Sequence, residues 1–132
     1  MRRPLRWAVV IVSLDPAKGH EQAGSRRVLV VSYEPFHRSA LMTVCPITAA
    51  RSEARYPGEV PLPAGEAGQT KDGVILCHQV RTISVDRIVM REVRFGADMS
   101  YLTDPAIRAA VRLALTHHLG LDIRPALDGA VA

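Results

Sequence analysis

Up to Gly96 the chain alternates between short apolar runs and polar links that contain glycine and proline. The runs are rich in Val, Ile and Leu, and their length and composition are typical of β-strands. Turn-forming residues such as Asp15 and Pro16 end them, because they break the extended backbone. The pattern predicts strands over Trp7–Leu14, Arg27–Ser32, Leu41–Ile47, Glu59–Leu62, Val74–Val80 and Ile88–Phe95.

A helical pattern follows. Apolar residues there recur at every fourth position, which places them along one face of an α-helix. Asp104 is suited to cap the N-terminus and Pro105 to occupy the first helical position. Gly120 is placed to end the helix in the left-handed conformation. The sequence therefore predicts one terminal helix whose core-facing stripe is Ile107, Val111, Leu115 and Leu119.

Together these elements predict a fold that is mainly β with helices. Short strands, long links and a terminal helix favour a small, strongly bent β-barrel. Ile83–Arg87 is predicted to form a single helical turn between two strands. Because the pattern shows no repeat and no second boundary, we expect one domain over residues 1–125 and a flexible C-terminal tail over residues 126–132.

The charge adds a preference for a polyanionic partner. The 132 residues include 17 basic and 13 acidic side chains, for a formal net charge of +4. All the basic residues except Lys18 and Lys71 are arginines, and a planar guanidinium can hold a phosphate with two hydrogen bonds. This balance favours a nucleic acid, although an arginine-rich genome would produce the same bias.

Neither the cysteines nor the N-terminal region indicates export. Cys45 and Cys77 lie in apolar runs and are expected to be buried free thiols. The apolar stretch after Arg2, Arg3 and Arg6 is too short to cross a bilayer and has no small-residue cleavage site. We therefore expect a cytoplasmic protein that does not associate with a membrane.

Three segments are polar where a barrel needs only a turn. They are LDPAKGHEQAG at residues 14–24, VCPIT at residues 44–48 and KDGVILCHQVRTIS at residues 71–84. Together with YPGEVPLP at residues 56–63, and in this order, they resemble the MazF/PemK family of toxins from type II toxin–antitoxin systems. The resemblance covers most of the chain before the predicted helix.

The resemblance implies an SH3-like barrel of the CcdB/MazF/PemK type that acts as a homodimer. It implies sequence-specific cleavage of single-stranded RNA, mRNA in particular, without a metal or other cofactor, and neutralisation by a cognate MazE-type antitoxin. The family's catalytic arginine, which closes the first loop, corresponds to Arg26. Its catalytic threonine, at the end of the third strand, corresponds to Thr48, and its acidic loop residue corresponds to Glu21.

These residue types suit RNA cleavage in which the ribose 2′-hydroxyl attacks the adjacent phosphate. Negative charge then develops on the phosphoryl oxygens, and fixed donors aimed at such charge contribute roughly 3 kcal/mol each in comparable sites. Arg26 can supply a charged pair of donors and Thr48 a hydroxyl donor. For proton transfer, Glu21 is one candidate. The residue pattern itself suggests His20 as another, because imidazole titrates near neutral pH.

An RNA groove is expected between the first loop and the segment that carries the third motif. Since aromatic residues make up only 5% of the chain, stacking on bases should be limited there. The candidate RNA-binding residues are Lys18, Gly19, Gln22, Ser25, Lys71, Gln79 and Arg81.

Two departures from the family pattern lie beside these motifs. Arg27 stands where a proline usually follows the catalytic arginine, and His78 stands where an acidic residue usually precedes the glutamine. We interpret His78 as an outward-facing strand residue without a catalytic role. Two alternatives stay open: a non-catalytic toxin of the same barrel, such as a CcdB-like topoisomerase poison, and a weakly active RNA-binding member of the family.

Overall fold

A curled antiparallel sheet of seven strands forms most of the described structure, which is a computed structural model covering residues 3–16, 18–21, 24–89 and 99–129. The strands pair in the order β4-β5-β3-β2-β1-β7, and β6 pairs with β3. A C-terminal helix, α1 (Pro105–His118), packs against β4 and the turn after β5. The strands are β1 (Ala8–Ser13), β2 (Ser25–Val30), β3 (Leu41–Thr48), β4 (Glu59–Leu62), β5 (Gly73–Leu76), β6 (Arg81–Ser84) and β7 (Ser100–Tyr101).

Strand β3 lies at the centre of this sheet and changes partner along its length. One edge pairs with β2, with Val28 opposite Pro46. Along the other edge, β6 pairs as far as Val44 and β5 takes over at Ile47. Pro46, which has no N–H to donate, lies at this changeover. As a result, β3 is flanked along its length by strands from three separate parts of the chain.

Two apolar clusters lie on opposite faces of the central strands, because successive side chains in a strand alternate between faces. The first cluster includes Leu29 and Cys45 and is covered by α1, which contributes Val111. The second cluster includes Val28 and Val44. The strand pattern thus produces a half-barrel with a helix over one face, and this confirms the expected class of fold.

Two predicted boundaries near the third motif are wrong. The predicted strand Val74–Val80 ends at Leu76, and a 3-10 turn follows over Cys77–Gln79. The predicted helical turn Ile83–Arg87 begins inside β6, and the 3-10 turn there covers only Val85–Arg87. In both cases pairing with β3 decides the outcome, because β3 offers one edge to two strands in succession.

The predicted strand Ile88–Phe95 lies largely outside the described residues. Within them, Ile88 forms an isolated bridge with Val12, and the Val89 N–H donates to the Ile11 carbonyl at 2.8 Å. The start of the segment is therefore extended and pairs with β1, while its remainder stays a prediction.

The helix begins as predicted but buries a different set of side chains. The Asp104 carboxylate accepts hydrogen bonds from two backbone N–H groups of the first turn, at 2.8 and 3.4 Å. Val111 and Ala114 are buried, whereas Leu119 is 61% exposed. Leu119 was expected in the buried stripe, but the helix ends at His118 and Leu119 lies beyond the part that covers the sheet.

Both cysteines are buried free thiols, as expected. A hydrogen bond with Cys77, together with burial, raises the pKa of the Cys45 thiol well above its usual value. A thiol that stays protonated is a poor nucleophile, so Cys45 serves the core. Cys77 is buried in the same apolar cluster. None of the helices within the described ranges has the length and apolar character needed to span a bilayer.

Truncating Val111 should destabilise the protein, whereas truncating Leu113 on the same helix should not. Val111 is fully buried and Leu113 is 67% exposed. Val111→Ala removes two buried methyl groups and leaves a small cavity, which should lower the free energy of unfolding by about 2 kcal/mol. Leu113→Ala should change it by less than about 0.5 kcal/mol. Urea denaturation of both variants checks this, and equal losses would show that α1 does not cover the core as described.

Candidate active site

A cleft of about 530 Å³ opens between the first loop and the turn after β5. It has a mixed lining: imidazole, carboxylate, amide and guanidinium groups lie beside apolar side chains. The lining residues are Leu14, His20, Glu21, Pro46, His78, Gln79, Val80 and Arg81. Four of the predicted site residues, His20, Glu21, Gln79 and Arg81, are therefore brought together here.

The first loop, which forms one wall of the cleft, is held by its own hydrogen bonds. At its base, the Asp15 carboxylate accepts from the Gly24 N–H at 2.9 Å. The Arg87 guanidinium donates to the Asp15 carbonyl at 2.7 Å. Nearer the tip, the Glu21 carboxylate accepts from the Lys18 N–H at 2.8 Å. These bonds fix the loop relative to the strands that it connects.

Glu21 also faces the opposite wall of the cleft. Its Oε2 lies 3.8 Å from the Arg81 guanidinium, and both side chains are partly exposed. The carboxylate therefore orients the loop through Lys18 and attracts Arg81 across the cleft. At that exposure the ion pair adds little to stability, but it aligns two polar groups that a substrate would meet.

Strand register sets where Arg26 and Thr48 lie relative to each other. Val28 of β2 is opposite Pro46 of β3, and these are the last paired residues of the ladder in this direction. Arg26 and Thr48 each lie two residues further along, so a continuation of the same register would set them opposite each other. Side chains two apart in a strand share a face, which would put both on the side of the second apolar cluster.

The hydroxyl of Thr48 is held by a backbone hydrogen bond. Its Oγ1 accepts a hydrogen bond from the Ala50 N–H at 3.2 Å. A hydroxyl that accepts through one lone pair keeps its hydrogen for another partner. Thr48 as a residue is only 9% exposed.

A second, smaller pocket of about 270 Å³ lies on the other side of the end of β3. Pro46 lines the cleft, whereas Ile47 and Ala49, the neighbours of Thr48 in the chain, line this pocket. Its lining residues are Ser25, Arg26, Arg27, Ile47, Ala49, Gln69, Thr70 and Lys71. The structure therefore divides the predicted site residues, with Ser25, Arg26 and Lys71 on this side.

The other predicted residues of the first loop are placed in part. Lys18 and Gly19 lie at the exposed tip, and Gly19 adopts a φ of +59°, a conformation that favours glycine. Gln22 lies outside the described residues, so its predicted RNA contact stays a prediction.

A charged cluster that the sequence did not predict lies beside the cleft. The buried Glu59 carboxylate accepts two hydrogen bonds from the Arg51 guanidinium, at 2.7 and 2.6 Å, and one from the Arg55 N–H at 2.8 Å. The Arg51 guanidinium holds the pKa of Glu59 down to about 2. His78 Nδ1 lies 3.7 Å from Glu59 Oε2. The only signal in the sequence was an acidic residue within the strand of YPGEVPLP.

His78 itself differs from the interpretation as an outward-facing strand residue. It lies in the 3-10 turn Cys77–Gln79, its side chain is 32% exposed, and its ring lies 5.8 Å from that of Tyr56, centroid to centroid. Among the residues that the structure describes, no group of three His, Cys, Asp or Glu side chains is arranged to hold a metal ion.

The low pKa of Glu59 makes a testable contribution to stability. A carboxyl with a depressed pKa stabilises the fold above its ordinary pKa of 4.5, and this contribution is lost as the pH falls towards about 2. Wild-type protein should therefore lose stability over this range more steeply than Glu59→Gln, which has no charge to lose. Urea midpoints measured from pH 7 to pH 2 test this. Asp128→Asn, in the exposed tail, should keep the wild-type dependence, and parallel curves for all three proteins would contradict the assignment.

Known proteins resemble this chain over most of its length. Residues 5–115 match the family model described as PemK-like, MazF-like toxin of type II toxin-antitoxin system. The endoribonuclease toxin ChpB of Escherichia coli K12 is 38% identical over 95 residues, which are 70% of this chain and 80% of ChpB. Endoribonuclease EndoA of Bacillus subtilis is 33% identical over 109 residues, which are 82% of this chain and 94% of EndoA.

Solved structures show the same half-barrel with a C-terminal helix. MazF from Deinococcus radiodurans superposes with a TM-score of 0.61 at 33% identity and covers 91% of this chain and 99% of its own. A MazE-MazF structure from the same organism gives 0.62 at 31% identity, covering 92% and 100%. With a family match over most of its length and relatives of this similarity, the chain belongs to the PemK-like, MazF-like toxins of type II toxin–antitoxin systems.

Proposed function

We propose that this endoribonuclease toxin cuts single-stranded RNA, mRNA in particular, with the scissile phosphate held at the end of β3. The observation that carries the proposal is the register of β2 and β3. Continued two residues past Val28 and Pro46, this register would set Arg26, which lines the smaller pocket, opposite Thr48. An RNA strand that passes from one depression to the other would cross this pair.

The pair suits the charge that develops during cleavage. When the 2′-oxygen attacks phosphorus, negative charge builds up on the phosphoryl oxygens, and donors already in place stabilise it without rearrangement. Arg26 supplies a charged planar group and Thr48 a hydroxyl whose lone pair is already engaged by the Ala50 N–H. Binding on both sides of the phosphate holds the 2′-oxygen in line with the leaving oxygen.

Cationic side chains flank this point on both sides. Arg81 lines the cleft, whereas Arg27 and Lys71 line the smaller pocket. Such groups attract successive phosphates of a strand and release its counterions. They support a path of several nucleotides, which sequence-specific cleavage requires.

Proton transfer is assigned to groups in the cleft rather than to a metal-bound water. Glu21 is the carboxylate nearest to Arg81 and can accept the 2′-hydroxyl proton. His20 lines the same cleft and is a second candidate. Cleavage by this route requires neither metal nor other cofactor.

We further propose a cytoplasmic homodimer that is neutralised by a cognate MazE-type antitoxin. The solved MazE-MazF structures among the relatives support such a partner. A row of exposed apolar side chains on α1 and the segment after it also supports a protein contact. These side chains are Leu113, Leu119, Leu121, Ile123 and Leu127.

Gly73 should be required for the position of Thr48. A methyl group on Gly73 would lie 2.6 Å from the Thr48 carbonyl oxygen, so β5 can approach β3 here only through a glycine. Gly73→Ala should displace the end of β3 and lower single-turnover cleavage by about 10²-fold, since displacements near 1 Å have that effect in other enzymes. Full cleavage with an unchanged melting temperature would contradict the close approach.

Arg26→Ala should abolish most of the cleavage that the wild-type protein shows in excess EDTA. Removing a donor to the developing charge lowers the rate by about 10²–10³-fold in comparable sites. Arg38→Ala, in the exposed turn Glu34–Ser39, serves as the matched arginine control and should keep full activity. The measurement is gel analysis of RNA fragments over time.

A substrate with one 2′-deoxyribose at the cut site tests whether the 2′-hydroxyl is the nucleophile. It should not be cleaved, because the nucleophile is missing. Cleavage of that substrate, or loss of all activity in EDTA, would contradict the proposal. If Arg26→Ala still arrests growth without RNA fragments, the protein acts as a binder rather than a nuclease.

A further inference from the structure

His78 is presented to the cleft by a closely fitted turn. The His78 N–H donates to the Gly58 carbonyl at 3.0 Å. A methyl group on Gly58 would lie 2.9 Å from the His78 Cβ, so the turn and the loop before β4 fit together only because Gly58 has no side chain. The backbone that carries the imidazole is therefore held in one position relative to the cleft.

The two edges of the His78 ring have different surroundings. Nδ1 is buried, has no hydrogen-bond partner among the described residues, and lies 3.7 Å from the Glu59 carboxylate. The side chain as a whole is 32% exposed and lines the cleft. The exposed part of the side chain thus excludes Nδ1, which faces the carboxylate, and Nε2 is the other nitrogen of the ring.

A carboxylate beside one nitrogen of an imidazole helps to set the orientation of the ring. Glu59 remains ionised at any pH near neutrality, because its pKa is about 2. The guanidinium of Arg51 binds the same carboxylate. The ionisable groups that face His78 are Glu59 of β4, Arg51 and Tyr56 of the loop before it, Arg81 of β6, and His20 and Glu21 of the first loop.

We propose that His78 is the general acid of the cleavage reaction and that Glu59 positions it. This inference rests on the proposed function. The 2′-oxygen forms a bond to phosphorus as the bond from phosphorus to the 5′-oxygen breaks. The 2′-hydroxyl proton passes to Glu21 or to water, and His78 Nε2 gives its proton to the departing 5′-oxygen. The products are a 2′,3′-cyclic phosphate and a 5′-hydroxyl, and solvent restores both protonation states.

The position of His78 suits that role. His78 and Pro46 both line the cleft. Thr48 lies two residues after Pro46 on the same face of β3, about 7 Å from Pro46 along the strand. In an in-line displacement the attacking and leaving oxygens lie on opposite sides of phosphorus, so base and acid must come from different directions. The first loop carries Glu21, and the turn after β5 carries His78, and these elements form different walls of the cleft.

The test compares two substrates that differ only in the leaving atom. One is an ordinary RNA oligonucleotide that the wild-type protein cuts, and the other carries sulfur in place of the 5′-oxygen at the cut site. A thiolate leaves without being protonated, so it does not need a general acid. His78→Gln keeps a nitrogen donor near the position of Nε2 but cannot release a proton, and His118→Gln, at the exposed end of α1, is the matched control.

His78→Gln should slow single-turnover cleavage of the ordinary substrate by about 10²–10⁴-fold and that of the sulfur substrate by no more than a few-fold. With the wild-type protein, the cleavage rate should fall at high pH, because a general acid that has lost its proton cannot protonate the leaving oxygen. His78→Gln should not show this fall. His118→Gln should behave as wild type. Circular dichroism and melting temperature establish that both variants are folded.

The outcomes separate this inference from the function on which it rests. Equal slowing on both substrates would make His78 a structural residue, and no slowing would give it no role; either result overturns the inference while the nuclease stands. If the wild-type protein cuts neither substrate, the proposed function fails first.

Discussion

The shared edge of β3 is the constraint on which the rest of the structure depends. One strand pairs with β2 along one side and with β6 and then β5 along the other, and Pro46 marks the changeover. This arrangement gathers three separate segments along β3. Gly73 makes the last of these contacts possible, because any side chain there would meet the Thr48 carbonyl. The candidate site is therefore a product of strand pairing, and the loops around it only complete its walls.

Electrostatics divide the same region into a cationic surface and one buried anion. The arginines and lysines at the surface suit a phosphate chain, and most of them are screened by solvent. The Glu59 carboxylate differs from these surface charges, since it is buried and accepts two hydrogen bonds from a guanidinium. A buried ion pair of this kind contributes little net stability compared with apolar residues. Its position behind His78 gives it a use in the site that stability alone would not explain.

Sequence patterns predicted local elements well where one residue type has one physical role. Glu59–Leu62 forms a strand with the predicted bounds, and Asp104 caps the helix as expected. The patterns failed at β5 and β6, because an apolar run of Val and Ile does not show where a neighbouring strand stops pairing. They also placed Leu119 in the core, since periodicity continues past the point where the sheet ends.

The sequence by itself determined the family and the class of fold, and it predicted Arg26 and Thr48 as the catalytic pair, because each of these depends on ordered motifs and on residue chemistry. Only the tertiary structure decided which side chains share a depression. It separated Arg26 from Glu21, and it brought Glu59 behind His78. Such contacts join residues far apart in the chain, and they exist only once strand register and the packing of Gly58 and Gly73 have set the backbone distances.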